Sequence, residues 1–215
     1  VLRASELKKP LTLDAQVCIV GSGAGGAILA MRLAQAGVRV VMLEAGPYCV
    51  KEQFTLREDE AFPLLYQDRG TRVTADGSIT ILQGRSVGGG TTINWTTCYR
   101  TPDRVLDHWR EHFGITALDS ATLEPHFEAV EQRLNIGAWP EGAANANNRK
   151  LLEGARQLGW QAAPTRRNVK GCVNSGYCGM GCPVDGKQAM HVTALPDAIK
   201  AGMILVAECP VSQVE

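Results

Sequence analysis

Hydrophobic residues along this chain fall into two patterns: short unbroken runs, and longer stretches in which they recur every three or four positions. Gln16-Val17-Cys18-Ile19-Val20 and Arg39-Val40-Val41-Met42-Leu43 are of the first kind and predict strands buried in a parallel sheet. Between them, Ala27 to Ala34 has helical spacing, and Gly37 stands where a glycine just past the last turn ends a helix. The same periodicity predicts helices over 104–113, 121–134 and 147–158, the last stopped by Gly159, and another over 194–200. Met203 to Ala207 then reads as a strand, and Val211 to Val214 as the start of its hairpin partner. Residues 72–81 alternate on both sides of Asp76-Gly77, a strong short-range hairpin signal, and 140–145 has the composition of a linker. There is no internal repeat and no low-complexity tract.

Strand, tight turn, helix and strand form the unit that cradles a dinucleotide diphosphate. Its turn here is Gly21-Ser22-Gly23-Ala24-Gly25-Gly26. Gly21 permits the turn, Gly23 lets backbone come close to a pyrophosphate, and Gly26 lets the helix pack on the strand, while the helix N-terminus offers N–H groups and a positive dipole end. Gly21, Gly23, Ala24, Gly25 and Gly26 are therefore assigned to the pyrophosphate. Glu44 closes the second strand at the roughly 20-residue offset of a carboxylate that bonds a ribose 2′-OH, and its charge disfavours a 2′-phosphate. A glycine turn can join a strand to a helix with no ligand at all, but here strand, helix and acid stand together. NAD and FAD share this half of the site.

A second glycine segment follows, Gly84-Arg85-Ser86-Val87-Gly88-Gly89-Gly90-Thr91-Thr92-Ile93-Asn94. Three glycines ahead of two threonines and an asparagine leave accessible amides and hydroxyls able to wrap phosphate and flavin-ring edges, although a glycine run is also the composition of a flexible surface loop. With Glu44-Ala45-Gly46 and Pro102, this segment resembles the glucose-methanol-choline oxidoreductases, which hold FAD and oxidise alcohols. Asn94-Trp95-x-x-Cys98-x-Arg100-Thr101-Pro102, Asp107-His108-Trp109, Gly176-Tyr177-Cys178-Gly179-Met180-Gly181-Cys182-Pro183 and Lys187-Gln188 resemble the long-chain alcohol oxidases and related dehydrogenases within that family. The pattern departs once, after Asn94, where Cys98 stands in the place of an aromatic or small residue and Tyr99 follows one position later.

The resemblance implies an α/β, Rossmann-like FAD-binding domain, with a parallel sheet, flanking helices and a β-meander, together with part of a substrate or cap region. It divides the chain into a lead (1–14), a first part of the FAD-binding domain (15–102), a helical substrate or cap segment (103–165), and a cysteine loop returning to the FAD-binding domain (166–215). It further implies Gly90, Thr91, Asn94 and Thr97 on the flavin side and the Val211 backbone against adenine. The resemblance also implies that the active-site histidine lies in a continuation, in keeping with a chain that stops inside a predicted hairpin. The expected function is that of the FAD-binding portion of an enzyme passing a hydride from a small-molecule alcohol to flavin N5, with oxygen or a redox partner as electron acceptor and no catalytic residue in these 215 residues.

Composition narrows this picture without changing it. A chain that is 45% hydrophobic and 20% charged is ordinary for a globular protein, and 22 basic against 22 acidic residues give no electrostatic case for nucleic acid or an anionic membrane. No apolar run approaches the roughly 18 residues of a spanning helix, and residues 1–10 lack the apolar core of a secretory signal. The expected location is cytoplasmic or peripheral to a membrane. Among seven cysteines, Cys18 and Cys209 read as small hydrophobes, whereas Cys49 and Cys98 lie beside the cofactor loops. Cys172-x5-Cys178-x3-Cys182-Pro183 admits an iron–sulfur cluster, a zinc site with His191, a disulfide, or three free thiols, with no metal favoured. His108 and His112 share a helical face that reads as packing rather than as a metal site, and His126 reads as a surface residue. Two other functions would use the first glycine turn alone: a nicotinamide-dependent dehydrogenase, and a non-catalytic dinucleotide-binding or electron-transfer module.

Overall fold

The computed structural model describes residues 1–214. They form two compact units, Val1–Trp95 with the stretch from Lys170 onward, and Thr96–Val169. The described residues contain six strands, β1 (Leu2–Arg3), β2 (Val17–Val20), β3 (Val40–Leu43), β4 (Ile136–Ala138), β5 (Arg166–Asn168) and β6 (Ile204–Ala207). The α-helices are α1 (Ala24–Gln35), α2 (Glu58–Leu65), α3 (Gly90–Ile93), α4 (Asp103–Phe113), α5 (Ser120–Arg133), α6 (Ala146–Gln157) and α7 (Ala194–Lys200).

The first unit is built on a parallel sheet of order β1-β6-β3-β2. Register places Ile19 opposite Met42 and Met42 opposite Leu205, and all three are buried. Helix α1 buries Ala27, Ala30, Met31 and Ala34, whose spacing puts them on one face, and it packs against α7, which buries Ala194, Leu195 and Ala198. Small side chains on both helices let them approach closely. Each large side chain taken out of water here contributes about 1.5–3 kcal/mol. Gly37, with φ +81°, ends α1 as expected. On the other face, Cys18, Val41, Leu43 and Val206 line an apolar groove of about 710 Å³ with the N-terminal stretch from Ala4 to Ala15, and no residue of either glycine segment reaches it.

The two expected hairpins come out differently. Residues 72–81 turn back at Gly77, whose φ is +71°, and the two arms pair as the expected hairpin: Thr74 N donates to Ile79 O (3.0 Å) and Ile81 N to Arg72 O (2.8 Å), on either side of the bridge between Val73 and Thr80. The segment is exposed on both sides, so no buried face adds to this pairing. Val211 to Val214, by contrast, are not a strand. β6 already pairs with β1 on one side and β3 on the other, so it has no free edge for a hairpin partner.

In the second unit, α4, α5 and α6 accompany the antiparallel pair β4–β5. Asp119 and Asn145 cap α5 and α6 by accepting hydrogen bonds from Thr122 N (2.7 Å) and Asn148 N (2.9 Å), while Gly114 and Gly159 at positive φ follow α4 and α6. Glu131 accepts from both Arg100 and Arg166, and these guanidinium bonds hold its carboxyl down to about 2. His108 and His112 are exposed, with ring centroids 4.2 Å apart. The sequence suggested a half-buried face here, but α4 fully buries only Leu106. None of the described helices is long and apolar enough to cross a membrane.

Candidate cofactor site

The first glycine turn leaves β2 at Gly21, whose φ of +91° requires glycine and whose N–H donates to Leu43 O at 2.8 Å. Gly26 lies so close to this turn that a Cβ there would stand 2.1 Å from Gly21 O. At Gly21, Gly23 and Gly25, by contrast, a Cβ would meet nothing within 4 Å. Gly23 is the N-cap of α1, and no side chain caps it. The turn therefore presents bare backbone and an uncapped helix end to open space, which is what a pyrophosphate needs.

Ser22 and Glu44 join this turn to the second glycine segment. Glu44 is 6% exposed; its Oε2 accepts from Ser22 N (2.9 Å) and Ser22 Oγ (2.6 Å), and its Oε1 accepts from Gly46 N (2.8 Å). Ser22 Oγ in turn accepts from Gly88 N at 3.0 Å. The two segments touch backbone to backbone: a Cβ on Gly89 would lie 2.9 Å from Gly23 Cα, and one on Gly46 would lie 2.3 Å from the Arg85 carbonyl. Three donors occupy Glu44, and a carboxylate can accept about four, so capacity remains for a ribose hydroxyl. In sequence Ser22 is merely one member of the glycine turn, yet in the fold it is the tie between the segments.

The rest of the second segment is gripped from behind by residues 187–191. Thr91 Oγ1 donates to Gly88 O (2.6 Å) and accepts from Met190 N (3.0 Å), so its hydroxyl serves the loop itself. Thr92 Oγ1 donates to Val87 O (2.8 Å) and lies 3.2 Å from His191 Nδ1. Burial, reinforced by the Lys187 charge, pushes His191 down to about 4, and its Nε2 is buried without a partner. Lys187 is 2% exposed, and burial lowers it to about 8. A Cβ at Gly90 would meet open space, and Asn94 is exposed.

The residues assigned to pyrophosphate and ribose, with Gly90, Thr91 and Asn94, thus lie on two segments packed against one another. Thr97 belongs to the second unit, where it bridges Arg167. Val211 lies two residues past Cys209, whose N–H donates to Glu44 O at 2.8 Å. All seven cysteines are free thiols, with Cys49 pushed up to about 11 by burial, so the disulfide alternative is not formed. Among the described residues no three His, Cys, Asp or Glu side chains gather to hold a metal.

An open glycine turn at a helix N-terminus, a buried carboxylate after the second strand and a second glycine segment packed on the first define a dinucleotide-binding α/β domain of the flavin type. Residues 14–52 match the FAD binding domain family and residues 62–215 the GMC oxidoreductase family. An uncharacterised GMC-type oxidoreductase of Mycobacterium tuberculosis is 37% identical over 207 residues, covering 95% of this chain and 33% of that protein. The long-chain-alcohol oxidase FAO3 of Arabidopsis thaliana is 32% identical over 199 residues, covering 93% and 26%. Among solved structures, pyridoxine 4-oxidase from Mesorbium loti superposes with a TM-score of 0.62 at 19% identity, covering 91% of this chain and 42% of that one. The chain belongs to the GMC oxidoreductase family, and FAD is its cofactor. It spans about a third of the length of the mycobacterial relative and about a quarter of the plant enzyme.

Proposed function

We propose that the complete protein oxidises the CH–OH group of a small-molecule alcohol, and that these 215 residues hold and orient FAD for that reaction without being catalytic alone. The observation that carries this reading is the tie through Ser22, which joins the diphosphate turn, Glu44 and Gly88 in one hydrogen-bonded unit. A nicotinamide dehydrogenase would use the first turn and leave the second segment without a role. When bound, FAD supplies the acceptor for the hydride leaving the alcohol carbon. The protein's part is positional: Gly21 to Gly26 bring backbone N–H groups to the pyrophosphate, Glu44 takes the adenine ribose, and Gly90, Thr91 and Asn94 line the flavin side. Thr97 and the Val211 backbone are assigned to flavin and adenine on the family pattern. The similarity to long-chain-alcohol oxidases favours an alcohol substrate and oxygen as electron acceptor over a redox partner.

Anaerobic mixing of the complete protein with linear primary alcohols of increasing chain length tests this. At least one alcohol is expected to bleach the flavin absorbance, and admission of oxygen to restore it. Flavin that dithionite bleaches but none of the alcohols does would contradict the proposal.

A further inference from the structure

Lys187 is the largest of the side chains that are almost wholly buried, and its ammonium meets no acidic partner there: Nζ donates to Thr92 O (2.5 Å), Asn94 O (3.1 Å) and Cys178 O (2.6 Å). All three donors are matched, and all three acceptors are neutral backbone carbonyls. Placing a charge in the interior costs several kcal/mol, a cost that an apolar side chain of similar length would avoid. Geometry explains why a lysine stands there. Thr92 O and Asn94 O lie at the end of α3, where carbonyls have no partners within the helix. One ammonium gathers both and pins them to the cysteine loop. Met190 N on Thr91 Oγ1 and His191 against Thr92 Oγ1 add two further points of attachment, so the stretch 187–191 acts as a splint behind residues 91–94.

We propose that Lys187 is a positioning residue for FAD, whose ammonium fixes the backbone of Thr92 and Asn94 so that the exposed Asn94 side chain meets the flavin in one orientation. This rests on the assignment of Asn94 to the flavin side. Lys187 acts only through that segment and touches no substrate.

The test is a double-mutant cycle on the complete protein, reading the FAD dissociation constant and the melting temperature of the apoprotein. Asn94→Ala keeps the backbone carbonyl that Lys187 binds and removes only the side chain. Lys187→Met keeps the stem and removes the charge; it is expected to weaken FAD about tenfold or more. The double variant is expected to bind FAD within about twofold of the weaker single variant, because the two act in series. Additive losses would overturn the proposal, since a general loss of stability would not depend on Asn94. Weakened binding in Asn94→Ala with wild-type affinity in Lys187→Met would refute the role of Lys187 and leave the site intact. Wild-type affinity in both would refute the assignment of Asn94 and the proposal with it. If Lys187→Met does not fold, Lys187→Gln, which retains two donors, takes its place; failure of both to fold would make Lys187 a folding determinant and overturn the positioning role.

Discussion

Gly26→Ala is expected to yield a protein that melts well below the wild type and no longer retains FAD. The new Cβ would stand 2.1 Å from Gly21 O and 3.3 Å from Ile19 Cγ2. Neither neighbour can give way easily, because Gly21 is held to Leu43 O by its own N–H and Ile19 is core. Overpacking of this kind costs roughly 1–3 kcal/mol, and relieving it moves α1 off the sheet, taking with it the N–H groups proposed to bind the pyrophosphate. Gly25→Ala is the control. Its Cβ meets nothing within 4 Å and alanine suits a helix, so the apoprotein is expected to be as stable as wild type or more so, with only FAD binding weakened. The two melting temperatures, measured without cofactor, decide the matter. An apoprotein of Gly26→Ala that melts with the wild type would show that the close approach of helix and strand is unimportant.

Glu44→Gln is expected to lower both apoprotein stability and FAD affinity. The carboxylate faces donors on both oxygens, Ser22 N and Oγ on one and Gly46 N on the other. An amide must turn its NH2 toward one of these sets, leaving a buried donor unsatisfied at a cost of about 1–3 kcal/mol. The ribose contact proposed for Glu44 adds a separate expected loss of roughly 1.5–3 kcal/mol in FAD binding. Ser22→Ala separates the two effects, since it removes the hydroxyl bonds to Glu44 and Gly88, leaves the Ser22 N–H on Glu44, and removes no group assigned to the ribose. If Glu44→Gln weakens FAD no more than Ser22→Ala does, Glu44 is a structural brace and not a ribose ligand.

Elements marked by a local apolar pattern were legible in the sequence: β2, β3 and β6 as short unbroken runs, α1 and α7 by helical spacing. Helix α2 was not, since Pro63 lies inside it and masks the pattern. Helix α3 was not either, because three successive glycines have loop composition; what holds it is Lys187, 95 residues from Thr92. Ser22 is a similar case, with its partner Gly88 66 residues away. Such ties arise only when the parallel sheet brings its turns together, and no local window contains both ends. The hairpin expected at 211–214 fails for the same kind of reason: that β6 lies between β1 and β3 is a property of the assembled sheet. Gly21 and Gly26 of the first turn, in contrast, were legible from spacing, because the positive φ of the one and the close helix–strand approach of the other are demands set within ten residues.

The central claim is that the backbone exposed at the first glycine turn is where FAD lies. Gly23 has φ −65° and ψ −170°, a conformation open to any residue, and a Cβ there projects into empty space. Gly23→Val should therefore fold normally while its side chain occupies the pyrophosphate position. The decisive measurement is the FAD content of the complete protein, wild type against Gly23→Val, read from the flavin absorbance of purified material with matched circular dichroism. One FAD per chain in the wild type and almost none in the folded variant is the expected result. Equal FAD in both, or a folded wild-type protein that carries a nicotinamide dinucleotide instead, would contradict the account.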